Sequence, residues 1–306
     1  MKNTKLILAL LTSLVVTACG GSGDSDVGST NTPLYFDASN DQAVSATAIR
    51  TASGTTFEIF NPDNFATDVY DALFPLVVKN IPCINSGGNI AADLTTPTGT
   101  MVYSNCVISA TSGKILNGTA YVHNALLDTN IDRVTATISF NNLKITIGGI
   151  TTNLTGSYDL TADGLNNTFT PKFSARETTF PNGFPVKLIL TNTSGQQEVL
   201  SNFNFYVDVI SNSTTTYTSD FKLASDSLGG LITHQSIAGF PYEKSSPNLR
   251  PSLGKTYILG QTPTELRITV FGNENSPPAA SQVKVDRSVD SGFSYSFTNY
   301  YSWSQL

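Results

Sequence analysis

The chain is poor in charge, in histidine and in cysteine. Only 13% of its 306 residues are Asp, Glu, Lys or Arg, and it has two histidines, three cysteines and one tryptophan. Its 17 basic and 23 acidic residues give a formal charge of −6, which argues against nucleic acid and against an electrostatic contact with anionic lipid. Few residues are left for acid–base or metal chemistry, and we expect neither a metal site nor another cofactor.

Long apolar runs and catalytic motifs are missing as well. Beyond the first 20 residues no stretch approaches 18 apolar residues, so we expect no transmembrane helix. There is no nucleophile elbow, phosphate-cradling loop or paired-histidine zinc motif. His123 and His234 lack a second ligand at local metal spacing, and we interpret each as a lone surface or hydrogen-bonded histidine. A triad assembled around His234 from distant residues stays open.

What is present begins with a leader over residues 1–18. Lys2 and Lys5 precede the apolar run Leu6 to Val16, which at 11 residues is typical of a signal-peptide core and shorter than the roughly 20 residues that span a bilayer. The run ends in VTAC, which resembles the lipobox of bacterial lipoproteins. This resemblance implies cleavage before Cys19, a diacylglyceryl group on its thiol and an acylated amine. The alternative is an ordinary secretory signal with a chance cysteine.

Residues 19–33 are rich in Gly, Ser, Thr, Asn and Asp, a composition typical of a flexible tether with a reach of roughly 20 Å. The residue after Cys19 is Gly20 rather than aspartate, which in proteobacterial lipoproteins implies sorting to the outer membrane. We therefore expect a lipid-anchored protein on the outer membrane, facing either the periplasm or the cell surface. Loss of Lys2 and Lys5 from 17 basic residues leaves 15 against 23 acidic ones, a mature charge of −8.

Cys83 and Cys106 are the two remaining cysteines. Export leads to an oxidising compartment, where such a pair usually forms a disulfide. The 22 residues between them include turn-forming Asn and Gly. Closing this loop would stabilise the fold by about 3 kcal/mol in the chain-entropy model. We predict a structural disulfide.

The pattern from residue 34 to residue 306 predicts a mainly β domain, with a subdivision near 240–255 as an alternative. Asn61-Pro62 and apolar residues spaced by three and four up to Leu76 indicate one N-terminal amphipathic helix. From about Thr100 the apolar period becomes two, and glycine- or asparagine-rich turns are expected at Asn117-Gly118 and Gly148-Gly149 among others. We predict 11 to 13 strands in an antiparallel meander that forms a curved sheet, a sandwich or a partial barrel.

A weak internal repeat runs through these strands. Tyr103-Ser104-Asn105-Cys106 aligns with Phe140-Asn141-Asn142-Leu143, and more loosely with Leu200-Ser201-Asn202-Phe203. Cys106, Leu143 and Phe203 then occupy equivalent places, which we expect to face the core. With the final turn 286–292 and Trp303, these strands resemble uncharacterised outer-membrane lipoproteins of marine gammaproteobacteria. That resemblance implies a lipoprotein and brings no known activity.

The C-terminal segment alternates aromatic residues with small polar ones. The aromatic residues are Phe293, Tyr295, Phe297, Tyr301 and Trp303. We expect them on one face of a strand, where they form either a buried core face or an exposed aromatic platform for sugar rings. Asp286 and Asp290 precede Gly292 in a stretch that we interpret as a plain turn, with a calcium loop as the alternative.

These features favour an outer-membrane-anchored β domain that binds or scaffolds without catalysis. A hydrolase of envelope or environmental polysaccharide is one alternative, and it would require a cleft with two carboxylates or a serine near His234. A carrier of an apolar ligand is another, and it would require an apolar cavity. The sequence does not identify the ligand or the protein partner.

The lipobox resemblance predicts that Cys19→Ser abolishes acylation and releases the protein from membranes, because no basic patch or apolar helix is expected to replace the lipid. Metabolic acyl labelling and membrane fractionation check this, with Cys83→Ser as the control that keeps its acyl chains. A Cys19→Ser protein that stayed in the membrane fraction would contradict the anchor.

Overall fold

The computed structural model describes residues 31–52, 79–83, 88–94, 97–109, 113–164, 172–179, 182–211, 214–245, 251–271 and 282–306. Within these residues the chain forms one helix, α1 (Asp41–Ala52), and sixteen strands that belong to a single sheet. All paired strands run antiparallel. The predicted class, a mainly β antiparallel meander with one short N-terminal helix, is confirmed, in the form of a curved sheet or partial barrel.

The first eight strands are β1 (Lys79–Pro82), β2 (Asn89–Asp93), β3 (Gly99–Ser109), β4 (Lys114–Asp128), β5 (Arg133–Ile147), β6 (Ile150–Asp163), β7 (Lys172–Glu177) and β8 (Leu188–Asn192). The second eight are β9 (Gln197–Ser211), β10 (Thr214–Ser225), β11 (Gly230–Ser236), β12 (Tyr242–Ser245), β13 (Gly254–Leu259), β14 (Glu265–Val270), β15 (Val283–Ser288) and β16 (Phe297–Tyr301).

The strand order follows the chain almost throughout. Consecutive strands are neighbours from β1 to β7 and from β13 to β16. The two short strands are the exceptions: β8 pairs with β6 and β9, and β12 pairs with β10. Strand β11 pairs directly with β13, so the sheet continues across residues 240–255. The domain boundaries proposed from sequence stay a prediction.

The core lies on one face of this sheet. Alternate residues of each strand point inward, as Leu266, Ile268 and Val270 do on β14, and they join one apolar cluster that includes residues of nearly every strand. Helix α1 and Phe36 contribute to the same cluster. A sheet with one apolar face must curl or be covered to remove that face from water. Here it curls, and the helix covers part of what remains.

Helix α1 was not predicted from the sequence. Its sequence, DQAVSATAIRTA, is made mostly of small residues, and nine of its twelve residues are buried. Alanine favours the helix, while Asp41 in the first turn and Arg50 in the last complement the helix dipole. A helix buried on most sides shows little amphipathic contrast, which is why periodicity missed it. The helix that was predicted, from Asn61 to Leu76, lies outside the described residues.

The internal repeat corresponds to a repeated β-bulge. Asn105, Asn142 and Asn202 all have positive φ, at 51°, 58° and 49°. Each lies where the pairing register shifts, in β3, β5 and β9 respectively. Asparagine tolerates this left-handed conformation better than most residues do. The residue that follows each asparagine faces the core as expected: Cys106 is 1% exposed, Leu143 is fully buried and Phe203 is 2% exposed.

A side chain satisfies the extra backbone N–H of each bulge. The N–H of Asn105 donates to Oδ1 of Asn117 at 2.7 Å, and that of Asn142 donates to Oγ1 of Thr155 at 3.1 Å. The N–H of Asn202 donates to Oε2 of Glu177 at 2.6 Å. A bulge bends its strand and increases local twist. Repeated across the sheet, these bulges supply the curvature that closes the core.

The strands that the apolar alternation predicts at 153–160 and 200–210 are confirmed as the longer β6 and β9. The strand predicted at 266–271 is confirmed as β14, which begins and ends one residue earlier. The predicted turn at Gly148-Gly149 is confirmed. The predicted turn at Asn117-Gly118 is wrong, because both residues lie inside β4. They mimic a turn because the bulge needs the same residue types: Gly118 has φ 122°, which a side chain would disfavour. The sixteen strands exceed the predicted 11 to 13.

Two bulge glycines allow the cost of backbone strain to be compared with the cost of a steric clash. Both have strongly positive φ, yet a Cβ on Gly156 would lie 2.1 Å from the carbonyl oxygen of Lys187, whereas one on Gly118 would approach nothing closer than 3.5 Å. Gly118→Ala should cost about 1–3 kcal/mol of unfolding free energy from backbone strain alone. Gly156→Ala should cost clearly more, because β8 must move away. Denaturant unfolding checks this, and equal losses would contradict it.

Candidate binding surface on the last four strands

The side chains on the outer face of β13 to β16 form two rows, which we call the C-terminal face. Paired residues of adjacent strands define each row. The first row is Tyr257, Arg267, Asp286 and Thr298, and the second is Lys255, Thr269, Lys284 and Tyr300. Both rows lie opposite the apolar residues of the same strands, so strand alternation places them towards solvent.

Asp286 organises the first row. Its side chain is 2% exposed, and it accepts hydrogen bonds from Nη2 of Arg267 at 3.0 Å and from Oγ1 of Thr298 at 2.7 Å. Nζ of Lys284 lies 3.0 Å from the same carboxylate. Burial by itself raises the pKa of Asp286, but the hydrogen bonds from Thr298, Lys284 and Arg267 outweigh it and hold the pKa below the usual value. The carboxylate is therefore ionised at neutral pH and fixes both cations.

Arg267 is held from a second side by Tyr295. The guanidinium carbon lies 4.1 Å from the centre of the Tyr295 ring, a cation–π contact. The Tyr295 hydroxyl donates to the carboxylate of Glu265. Burial, followed by this hydrogen bond and the charge of Glu265, raises the pKa of Tyr295 well above its usual value. The phenol therefore stays protonated, and the guanidinium is fixed between a ring and a carboxylate.

The cations nevertheless remain accessible. The side chains of Arg267 and Lys284 are 34% and 31% exposed, so each keeps donors that do not point at Asp286. Tyr300 is 52% exposed and meets Phe271 edge-to-face with 6.4 Å between ring centres. Fixed cations beside hydroxyl groups and aromatic rings suit a ligand that carries both hydroxyl and anionic groups.

The residues on the opposite side of β15 and β16 attach helix α1 to the sheet. Asp41 of α1 is 1% exposed and accepts hydrogen bonds from the Tyr301 hydroxyl at 2.6 Å and from Nδ2 of Asn299 at 2.7 Å. Nη1 of Arg287 lies 3.4 Å from the same carboxylate. This arrangement joins the start of the helix to the last two strands. Removing one partner of a buried charged group is strongly destabilising, so these residues hold the fold and offer no free group.

The five aromatic residues predicted to share one face are separated in the structure. Phe293 is 92% exposed on the loop before β16, whereas Trp303 is 4% exposed beyond its end. Tyr295 turns to Arg267 on the C-terminal face, while Phe297 and Tyr301 lie on the opposite side of the sheet with Arg287 and Asp41. The alternation misled because only part of this segment, Phe297–Tyr301, is a strand.

Asp286 lies in β15, and Asp290 lies in the turn that follows this strand. Oδ1 of Asp290 accepts hydrogen bonds from the Ser288 hydroxyl at 2.6 Å and from the Ser294 N–H at 2.9 Å, and Oδ2 accepts one from the Ser294 hydroxyl at 2.6 Å. These hydrogen bonds, those from Ser288 first, lower the pKa of Asp290 to about 2. Among the described residues, no group of three His, Cys, Asp or Glu side chains is placed to hold a metal ion.

Cys83 and Cys106 lie at disulfide distance from each other, with 5.5 Å between their Cα atoms. Both are buried, and for Cys106 this confirms the core-facing place that the repeat alignment predicts. The disulfide connects the residue after β1 to the bulge of β3. Cys19 and most of the expected tether lie outside the described residues.

His234 lies in the core. It is fully buried and stacks on Phe221 with 4.5 Å between ring centres. Nδ1 lies 2.8 Å from the carbonyl oxygen of Ser219, and Nε2 lies 2.8 Å from Oγ1 of Thr256. Burial lowers the pKa of His234 to about 3. Both ring nitrogens are occupied, so His234 has a structural role and is not placed to activate a nucleophile.

His123 lies on the outer face of β4 beside Phe184, with 5.8 Å between ring centres. Its Nε2 is buried and has no hydrogen-bond partner, and the same holds for the hydroxyls of Ser139 and Ser157. Ser139 pairs with Ser157 across β5 and β6, and Thr137 pairs with His123 across β4 and β5. The sequence does not show that these residues meet, because His123 and Ser157 are 34 residues apart and approach each other only through strand pairing.

Arg267, Lys284 and Asp286 were also not predicted as one site. Each lies at an outward position of a strand whose alternation is visible in the sequence. Their proximity depends on the register of β14 against β15, which the sequence does not show.

The free energy of unfolding should fall in acid, because His234 is buried in its neutral form. Its folded pKa of about 3 lies below the ordinary 6.5, so the unfolded chain takes up the proton first. The neutral ring contributes stability that is complete above about pH 6.5 and is lost as pH falls towards 3, at up to about 1.4 kcal/mol per pH unit. Unfolding measured from pH 7 to pH 4 should show this slope, and His234→Gln should flatten it.

His123→Gln is the comparison, because burial also lowers the pKa of His123 but by less than that of His234. This variant should keep most of the slope. If His234→Gln fails to fold, NMR titration of the His234 ring in the unchanged protein gives the same answer. A ring that gains its proton near pH 6.5 would contradict the assignment.

No helix among the described residues is long and apolar enough to cross a membrane. No protein-family model matches the chain, and no curated protein and no solved structure is significantly similar to it. The C-terminal face itself consists of two partly exposed cations held by one buried carboxylate, beside tyrosine rings and threonine hydroxyls.

Proposed function

We propose that this chain is an outer-membrane lipoprotein whose β domain binds a ligand at the C-terminal face without catalysing a reaction. The lipobox at Cys19 and the polar tether support the anchor and its location. The observation that carries the binding role is the ion-pair cluster of Asp286 with Arg267 and Lys284, which fixes two cations on a partly exposed sheet face.

The chemistry of this face favours a polymer rich in hydroxyl groups. Arg267 offers planar donors suited to an anionic group, and the Tyr300 ring offers an apolar surface on which a sugar ring can stack. A β-sheet holds these side chains at fixed spacings, so little conformational entropy is lost on binding. A saccharide of the envelope or of the surroundings fits these properties.

The alternatives receive less support from the described residues. A hydrolase needs carboxyl groups that can exchange protons, whereas the carboxylates of Asp286 and Asp290 are each held by hydroxyl, N–H or cationic donors. His234, the other candidate, is fully buried and bonded at both nitrogens. No observation favours the carrier of an apolar ligand.

Binding should depend on Lys284. The full-length protein in phospholipid vesicles should co-sediment with an immobilised saccharide polymer, tested with polygalacturonate and dextran as acidic and neutral probes. Lys284→Gln should weaken binding by roughly fivefold, which corresponds to about 1 kcal/mol, the upper range for a partly exposed ion pair.

Lys144→Gln is the matched control, since Lys144 is an exposed lysine on β5 away from this face. It should leave binding unchanged. Equal effects of the two substitutions, or no binding of either polymer, would argue against the C-terminal face as the binding surface.

A further inference from the structure

The first described residues form a strap across one end of the sheet. The N–H of Leu231 donates to the carbonyl of Thr32, and the N–H of Leu34 donates to the carbonyl of Leu231, both at 2.9 Å. The carbonyl of Leu34 then accepts the N–H of Gln261 at 2.7 Å. The strap therefore passes from the start of β11 to the turn between β13 and β14. The anchor-bearing segment leaves the domain at this end.

Glycine makes this close contact possible. A Cβ on Gly260 would lie 2.2 Å from the carbonyl oxygen of Leu34, and one on Gly230 would lie 3.0 Å from the Leu34 side chain. Phe36, the next inward residue, is fully buried, and its N–H donates to Oγ1 of Thr264 at 3.2 Å. The exit point is fixed to the sheet at several positions, so the end of the tether has a defined place.

Three exposed aromatic residues lie on the elements at this end of the sheet, and we call them the aromatic rim: Tyr35, Phe293 and Phe297, which are 49%, 92% and 47% exposed. Tyr35 belongs to the strap itself. Phe293 lies on the loop between β15 and β16, whose Ser291 N–H donates to the carbonyl of Pro263, in the same turn that binds the strap, at 2.8 Å.

Phe297 follows that loop at the start of β16. It pairs with Arg287, which in turn contacts Asp41 at the start of α1, six residues after Tyr35. The rim is thus connected to the strap from both sides. It is also rigid, because Asp290 is hydrogen-bonded to Ser288 and Ser294 on either side of Phe293. Exposed aromatic side chains grouped on one ordered end of a sheet are the kind of apolar surface that serves as a contact site.

We infer that the aromatic rim rests on a zwitterionic phospholipid surface and so fixes the orientation of the domain on its membrane. This inference rests on the proposed lipid anchor. Twelve residues, 19–30, precede the first described residue, and their Gly- and Ser-rich composition predicts a reach of roughly 20 Å, so we expect the rim and the lipid surface to stay close to each other.

Tethering makes a weak contact sufficient, because the anchor keeps the effective concentration of lipid at the rim high. The charges nearby explain the choice of lipid. Asp37 on the strap and Asp290 on the loop are acidic and disfavour anionic headgroups, whereas an aromatic side chain can enter a neutral interface. Bound in this way, the domain would direct the β4–β5 turn, at the opposite end of the sheet, away from the membrane.

Tryptophan placed at the rim tests the contact. The full-length acylated protein carrying Phe293→Trp is reconstituted in phosphatidylcholine vesicles with bromine on the upper acyl carbons. The matched control carries Leu126→Trp, at a residue that is 65% exposed near the β4–β5 turn. The native Trp303 is buried and gives the same background in both variants.

Because an interfacial side chain enters roughly 5–10 Å into the headgroup and acyl boundary, brominated lipid should quench the Phe293→Trp variant and leave the Leu126→Trp variant at background. Replacing a third of the lipid with phosphatidylglycerol should not increase the quenching. Protein that floats with vesicles but shows equal quenching in both variants overturns the inference and leaves the anchor standing.

Two other outcomes also overturn the inference. Protein that does not float with vesicles refutes the anchor, and with it the membrane contact. Protein in which Phe293→Ser abolishes self-association in detergent, while quenching stays at background, identifies a second copy of this chain as the occupant of the rim.

Discussion

The structure depends on one constraint: a sixteen-stranded sheet with a single apolar face must bend until that face is removed from water. The bend comes from bulges at Asn105, Asn142 and Asn202, where positive φ angles shift the register of neighbouring strands. Each bulge leaves one backbone N–H outside the strand pairing, and a nearby side chain accepts a hydrogen bond from it. The inward residue that follows, Cys106 in the first case, then points into the core, and this places the disulfide inside the curve.

The two faces of the last strands follow from this arrangement. A curled sheet turns its other face to solvent, so outward residues of adjacent strands stand in rows, and Arg267 and Lys284 meet around Asp286. The same strands carry Arg287 on their inner side, where it joins Asp41 and fixes helix α1. Strand β15 therefore connects the core to the proposed binding surface, and its charged residues serve opposite faces because successive side chains alternate.

The strap determines the end of the sheet at which the chain towards Cys19 leaves the domain. It crosses one end of the sheet beside Gly230 and Gly260, and at Gly260 only a residue without a side chain allows the approach. The strap, the aromatic rim and the C-terminal face then have fixed positions relative to one another. On the proposed anchor, the sheet would stand on its strap end, with the C-terminal face at its side rather than against the lipid. A ligand could reach that face without displacing the domain from the membrane.

The sequence by itself determined what depends on local pattern: the β class, several strands, the disulfide pair and the repeat whose asparagines became bulges. It did not predict helix α1, because this helix is buried on most sides and so lacks the alternation of apolar and polar faces that identifies a surface helix. It predicted a turn at Asn117-Gly118, because a β-bulge uses the same residue types as a turn. The aromatic alternation from Phe293 to Trp303 predicted one face, but only the strand from Phe297 to Tyr301 keeps that period. Tertiary structure alone decided which distant residues meet. The ion-pair cluster at Asp286 and the surroundings of the His123 Nε2 atom, which has no hydrogen-bond partner, both depend on strand register, and register is set by pairing across the sheet.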